Sequence, residues 1–137
     1  MYSFRKSKKG FTLIELMVVV AIIGVLALLG LRLYATQQDK AKEAIVKANA
    51  GTVQVQIQTD LADAPTDYDL DDALNSAQNI NLRNPFNGGE GDGAVDDDDT
   101  AAGVEGMVCV RFSSPVFTIK AYGKDGRDMA YELTAQR

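Results

Sequence analysis

The stretch "GFTLIELMVVVAIIGVLALLG", residues 10–30, decides how the rest of the chain can be organised. From Phe11 to Leu31 the segment has twenty-one residues, and Glu15 is the only charged one. At about 1.5 Å per helical residue, a helix of this length crosses a hydrocarbon core. A carboxylate inside such a segment costs free energy unless it has a partner. The segment contains no cation, so the partner of Glu15 is expected to come from elsewhere.

The charges of the chain are divided between a basic N-terminus and an acidic remainder. The 137 residues include 14 basic and 19 acidic ones, and four of the basic ones lie within the first nine positions: Arg5, Lys6, Lys8 and Lys9. A basic tail followed by an apolar segment is typical of membrane targeting. The acidic remainder should repel nucleic acid, so we expect no direct binding of nucleic acid there.

The composition argues against catalysis. The chain has no histidine, so nucleophile activation by histidine and the commonest zinc ligand are both missing. No phosphate-binding loop or dinucleotide fingerprint occurs, and no spacing pairs the carboxylates for acid–base work. Cys109 is the single cysteine, flanked by two valines, and is interpreted as a small core residue. The sequence therefore predicts a protein that is not an enzyme.

Four regions follow from these patterns: a leader at 1–10, a transmembrane or filament-core helix at 11–31, an amphipathic continuation at 32–61, and a small globular head at 62–137. The continuation contains no proline. Small and apolar residues recur there at three- and four-residue steps, which places them on one helix face: Ala41, Ala44, Ile45, Ala48, Thr52 and Val55. The alternation in "TVQVQIQT" is also a strand signal, but one helix over about 11–61 is favoured.

The head is predicted to be α+β. Pro65 should end the long helix, and Asp69 or Asp71 could cap a short helix that runs to Ala77. Residues 79–103 are rich in glycine, asparagine and aspartate and are predicted to be loop. Strands are expected at 107–112, 115–122 and 129–133, and the short turns between them indicate a three-stranded antiparallel sheet packed on the distal half of the long helix.

The segment "KKGFTLIELMVVVAIIGVLALLG" resembles the start of a type IV prepilin, a family that includes the pseudopilins of type II secretion. The resemblance implies that a prepilin peptidase cleaves after Gly10 and methylates the new amine of Phe11. It places Glu15 at the fifth position after the cut. The segments "NPFNG" (84–88) and "IKAYGKDG" (119–126) are also similar to pilin sequences.

The resemblance suggests a partner for Glu15. Cleavage at Gly10 creates an α-amino group on Phe11, and such a group has a pKa of about 8. In a bundle of parallel helices that cation can meet the Glu15 carboxylate of a neighbouring copy, which offsets the cost of burying both charges and fixes axial register. The alternative is that Glu15 reaches an interface near the helix start without pairing.

The basic leader should stay in the cytoplasm, so the head is expected outside the inner membrane, in a single-pass protein before assembly. A secretory signal peptide is disfavoured, because Gly10 precedes the apolar segment and no small-residue exit site follows it. A plain signal anchor would need neither Gly10 nor Glu15. The expected partners are further copies of the chain, the prepilin peptidase, and the inner-membrane platform and ATPase of an assembly machine.

Three functions remain open from the sequence. The chain is interpreted first as a structural subunit of a type IV pilus, used for adhesion, motility or DNA uptake and ending in an extracellular filament. The alternatives are a pseudopilin of a type II secretion system, in a periplasmic pseudopilus, and a membrane-anchored monomeric binding domain. Arg32 stands where many family members have proline, which leaves the choice between major pilin and pseudopilin open.

No cofactor is certain, but the acidic loop is a candidate calcium site. Its predicted ligands are Glu90, Asp92, Asp96 and Asp98, and related pseudopilins carry calcium in a comparable loop. The spacing matches no EF-hand, and a solvated acidic loop explains the same residues more simply.

Overall fold

The computed structural model describes residues 10–63 and 67–136, with the side chains of residues 98 and 100 excepted. The predicted leader therefore lies outside the described residues, apart from Gly10. The chain forms two compact units, Met1–Gln37 and Gln38–Arg137, and the second is called the head unit below.

Helix α1 runs from Leu13 to Asp63. The sequence predicted about 11–61, so the helix begins and ends two residues later. Its first part, up to Gln37, contains no buried residue. This part is long and apolar enough to cross a membrane. Arg32 lies within the helix, and its carbonyl accepts a hydrogen bond from Thr36 Oγ1 at 3.2 Å.

Within the head unit, one face of α1 is buried against the sheet. Its residues follow three- and four-residue steps: Val46, Asn49, Ala50, Val53, Ile57 and Leu61. The face that the sequence pattern picked out, with Ala41, Ala44, Ile45, Ala48, Thr52 and Val55, is exposed instead. The residues named on both faces are uncharged. The buried face carries the larger branched side chains, which gain more free energy from burial.

Helix α2 runs from Leu70 to Gln78, and Asp69 is its N-cap. Asp69 Oδ1 accepts hydrogen bonds from the backbone amides of Asp71 and Asp72, at 2.9 and 3.1 Å. The Asp72 side chain accepts in return from the Asp69 amide, at 3.4 Å, which completes a capping box. Of the two predicted caps, Asp69 is therefore correct.

The sheet has four strands in the order β1 (Val95–Asp97), β2 (Val108–Ser113), β3 (Val116–Tyr122) and β4 (Asp128–Gln136). Strands β2 to β4 are antiparallel, as predicted, but β1 pairs parallel to β2. The prediction of a three-stranded sheet was therefore wrong by one strand, and the predicted loop also contains the short helix α3 (Asp98–Ala101). Three residues are too few for a period of two to show in the sequence. The α+β class is confirmed.

The core lies between α1, α2 and one face of the sheet. Phe117 is one of its largest buried side chains, and the centroid of its ring lies 4.5 Å from that of Phe112 and 5.7 Å from that of Tyr68. A smaller buried cluster contains Cys109 and Tyr122, on the opposite side of the strands from Val108 and Val110. Burial raises the pKa of the Cys109 thiol, which agrees with the predicted role as a core residue.

Two polar side chains tie the connecting segments to this core. Asn84 is fully buried, donates through Nδ2 to the carbonyls of Glu105 (2.8 Å) and Gly93 (3.3 Å), and accepts from the Phe86 amide through Oδ1. On the helix side, Gln54 Nε2 donates to the carbonyl of Thr134 in the edge strand β4, at 2.8 Å. These bonds fix loops and strand without a disulfide.

Candidate processing and assembly site

The predicted cleavage point lies just outside helix α1. Gly10 and Phe11 precede the first helical residue, Leu13, and both are exposed. The Phe11 side chain is among the most exposed apolar ones described, at 87%. The Gly10–Phe11 peptide bond is therefore outside the hydrogen-bonded helix and accessible from solvent.

The described residues give no steric reason for glycine at position 10. Apart from its chain neighbours, none of them has an atom within 4 Å of a Cβ atom placed there. Gly24 and Gly30 are equally open, within the helix. A small residue at position 10 is thus not explained by packing against the described residues.

Thr12 and Glu15 form a capping box at the start of α1. The Thr12 amide and the Thr12 hydroxyl both donate to Glu15 Oε2, each at 2.9 Å. The Glu15 amide donates back to Thr12 Oγ1 at 3.3 Å. The carboxylate also lies in the first helical turn, where the helix dipole favours negative charge. Sequence reasoning missed Thr12, although T-x-x-E before an apolar segment is a known start signal.

Glu15 is exposed, and no lysine or arginine among the described residues forms an ion pair with it. Both of its hydrogen bonds from Thr12 end on Oε2. The pairing of Glu15 with the Phe11 amine of another copy stays a prediction, since it involves a second chain.

The apolar side chains that follow Glu15 have no cover within the first unit. From Phe11 to Leu33, the large apolar side chains are between 48% and 87% exposed. Soluble monomers rarely leave an apolar surface of this extent open to water. Within this unit the described residues provide no cover for the segment, which lipid or other apolar helices would supply.

The structure does not gather the predicted calcium ligands into a site. Glu90 approaches Arg83, with 3.5 Å between Oε1 and Nε, and Asp96 Oδ1 accepts from the Asp97 amide at 2.9 Å. Asp92 is exposed in the 3₁₀ turn Gly91–Gly93, and the side chain of Asp98 is outside the described part. Among the described residues, no three acidic, cysteine or histidine side chains come together in a way that could hold a metal ion.

Comparison with known proteins bears on the N-terminal region first. Residues 5–31 match the family model described as the prokaryotic N-terminal methylation motif. The matched residues include Gly10, Phe11 and Glu15 and the apolar first part of α1.

Curated relatives include the type IV major alpha-pilin of Moraxella bovis, 34% identical over 76 residues, which are 56% of this chain and 48% of that protein. Fimbrial protein EcpB of Eikenella corrodens is 46% identical over 55 residues, 40% of this chain and 35% of its own length. The type IV major fimbrial protein FimA of Dichelobacter nodosus is 43% identical over 56 residues, 41% of this chain and 36% of the relative.

These matches confirm the resemblance to the type IV pilin family. The chain spans between about a third and a half of the length of the curated relatives it matches. No solved structure matches it significantly.

Proposed function

We propose that this chain is the precursor of a structural subunit of a type IV pilus and that it is not an enzyme. The observation that carries the proposal is the exposed apolar part of α1, most of which lies within the residues that match the methylation motif. Copies whose helices bundle together would give that surface the cover it lacks. The names of the relatives, which are pilins and fimbrial proteins, support the same function.

Processing would begin at the exposed bond between Gly10 and Phe11. A prepilin peptidase would hydrolyse this bond, releasing the basic leader and a free Phe11 amine, and methyl transfer would then modify that amine. Among the described residues no packing contact accounts for glycine at position 10, which supports recognition by a peptidase as the reason for it. The capping box of Thr12 and Glu15 lies on the retained side of the cut and can persist after it.

Assembly would bring the new amine to Glu15 of a neighbouring copy. Glu15 Oε2 is engaged by Thr12, so the amine would approach the other carboxylate oxygen. In a low-dielectric bundle the two charges attract strongly and offset the loss of hydration. A shift of the helices by one turn would leave both charges unpaired, so the pair would also set register.

Intact-mass measurement of the cellular protein tests the processing step. We expect an N-terminus at Phe11 carrying one additional methyl group. Gly10→Val should block cleavage, while Gly24→Val, at an equally open glycine, should leave it unchanged. A protein that still begins at Met1, or that begins after Leu31, would contradict the proposal.

The place of assembly separates the pilus subunit from the pseudopilin. Before assembly the protein would span the inner membrane once, with the head outside the cytoplasm. The assembly platform and ATPase would then extract it into an extracellular pilus. Recovery of the mature chain in filaments sheared from the cell surface supports a pilus subunit. Mature chain found only in the membrane and periplasm, with loss of a secreted protein on deletion, would indicate a pseudopilin instead.

Calcium binding by Glu90, Asp92, Asp96 and Asp98 is a separate proposal, which rests on the carboxylates of the loop alone. A ligand that binds only the folded state raises the melting temperature. A rise with calcium, and none with magnesium at equal ionic strength, would support a site in this loop if Asp96→Asn removes the rise. Equal effects of the two ions would contradict it.

A further inference from the structure

Helix α1 contacts the rest of the head unit in two different ways. From Val46 to Leu61 it contributes buried residues to the hydrophobic core. From Asp39 to Ile45 no residue is buried, and Ile45 is 47% exposed. The core cluster begins only at Val46, so the two helical turns before Val46 depend on other contacts.

Two of those other contacts are ion pairs. Lys124 Nζ donates to Asp39 Oδ2 at 2.8 Å, and Arg127 Nη2 donates to Glu43 Oε1 at 3.0 Å. The two acids are four residues apart and so share one helix face. Lys124 and Arg127 lie at the two ends of the turn between β3 and β4.

A third contact strengthens the same pattern. Lys42 Nζ lies 5.1 Å from the centre of the Phe86 ring, within the range of a cation–π interaction. Lys124 also has its pKa raised, first by its hydrogen bond to Asp39 and then by the charge of that residue. The segment is therefore attached by electrostatic contacts, while the helix after it is attached by apolar packing.

Salt acts oppositely on these two kinds of contact. Exposed ion pairs contribute about 0–1 kcal/mol each and weaken as ions screen them. The screening length falls from about 30 Å at 0.01 M salt to about 3 Å at 1 M. Burial of apolar side chains is not weakened in this way. Rising ionic strength should therefore loosen the start of the helix and leave Val46–Leu61 in place.

We propose that Asp39–Ile45 is an electrostatic latch, which is fastened to the β3–β4 turn at low ionic strength and released at high ionic strength. Release would shorten the part of α1 that is fixed to the head by about 10 Å, at about 1.5 Å per residue. The proposal goes beyond the pilus function. It does not depend on that function, because both ion pairs form within a single chain and need no assembly.

Distances between two spin labels in the full-length chain in detergent micelles test the latch. One label pair, at Ala41 and Glu132, reports on the latch; a second, at Val55 and Glu132, reports on the packed part of the helix, and all three positions are exposed. Cys109 is buried and is replaced by alanine in every variant. We expect the first distance distribution to widen about twofold between about 0.02 M and about 1 M salt, and the second to stay unchanged.

Charge variants separate the latch from a general salt effect. In the double variant Lys124→Gln, Arg127→Gln, the Ala41–Glu132 distance distribution should be wide already at low salt. The double variant Arg83→Gln, Lys120→Gln is a matched control, because it removes the same amount of charge elsewhere in the head unit. In this control the Ala41–Glu132 distance distribution should stay narrow at low salt. A narrow Ala41–Glu132 distribution in all conditions would overturn the proposal. Equal widening of both label pairs would overturn it too, because the whole head would then be loosening.

Discussion

The two parts of helix α1 differ in what covers them. Up to Gln37 no residue of the helix is buried, and large apolar side chains occur on all sides. After Gln38, six residues at helical spacing are buried, and they belong to one face. A helix that is apolar all round requires a surrounding apolar medium, whereas a one-sided helix requires only a partner layer. One continuous helix thus has two separate requirements: described residues of the head unit supply the partner layer for its second part, whereas its first part needs an apolar medium.

The largest effect that would test this difference is expected at Glu15. Replacement by alanine or glutamine should leave cleavage and membrane insertion intact but should nearly abolish filament incorporation, because the Phe11 amine would be buried without a counter-charge. The measurement is the ratio of the variant in sheared filaments to the variant in the membrane, without wild-type subunit present.

Thr12→Ala is the matched control for Glu15. It removes the helix cap, at a cost of about 1 kcal/mol, but keeps the carboxylate. We expect filaments in reduced or normal amount. If Thr12→Ala abolished filaments as fully as Glu15→Gln, the role of Glu15 would be capping rather than charge pairing. Wild-type filaments from Glu15→Ala would show that the carboxylate is dispensable.

A smaller effect should distinguish the two faces of α1 in the head unit. Val53 is fully buried and Val55 is 61% exposed, so the same substitution can be compared two residues apart. Val53→Ala should lower the free energy of unfolding by about 2 kcal/mol through lost burial and a cavity, and Val55→Ala by less than about 0.5 kcal/mol. Chemical denaturation of the full chain in detergent measures both. Equal losses would mean that the exposed face is also covered in the monomer.

The smallest effect concerns the charged contacts at the start of the head unit. Because the folded-state pKa of Lys124 is raised, its stabilising contribution is complete below about pH 10.4, the ordinary lysine pKa, and disappears as the pH rises through the folded-state value. The melting temperatures of wild type and Lys124→Gln should therefore differ slightly at pH 8 and converge at higher pH.

The comparison with the variant is necessary because a phenol also titrates in this range. Burial raises the pKa of Tyr68, with the nearby Asp60 adding to the shift. A raised phenol pKa also removes stability as the pH rises, but it does so in both proteins. If the difference in melting temperature between wild type and Lys124→Gln stayed constant up to pH 12, the role given to Lys124 would be contradicted.

The sequence predicted those features that depend on local signals. The apolar segment, the capping of α2 by Asp69 and three strands with their turns all follow from residue types at fixed spacing. It did not predict β1, because Val95–Asp97 is too short for a pattern and is stabilised by pairing with β2. Of the two apolar faces of α1, the pattern picked the exposed one, because periodicity identifies a face but not the layer that covers it.

Most residues of the candidate site could be predicted from the sequence, but the partner of Glu15 could not. Gly10, Phe11 and Glu15 could be named from one short motif, and the structure adds that the first two are accessible and that the third caps its own helix. Thr12 could have been found from its spacing to Glu15. Neither the sequence nor the structure of one chain identifies the partner of Glu15, because a pairing between copies involves a second chain.

The bond from Gln54 to the carbonyl of Thr134 has a consequence for the open edge of the sheet. Strand β4 is an edge strand, and an open edge is a template on which another chain can add a strand and begin to aggregate. Gln54 occupies one acceptor of that edge, and the positive φ of Ala130, 51°, interrupts its regular extension near the other end. Both features would hinder the addition of a further strand at this edge.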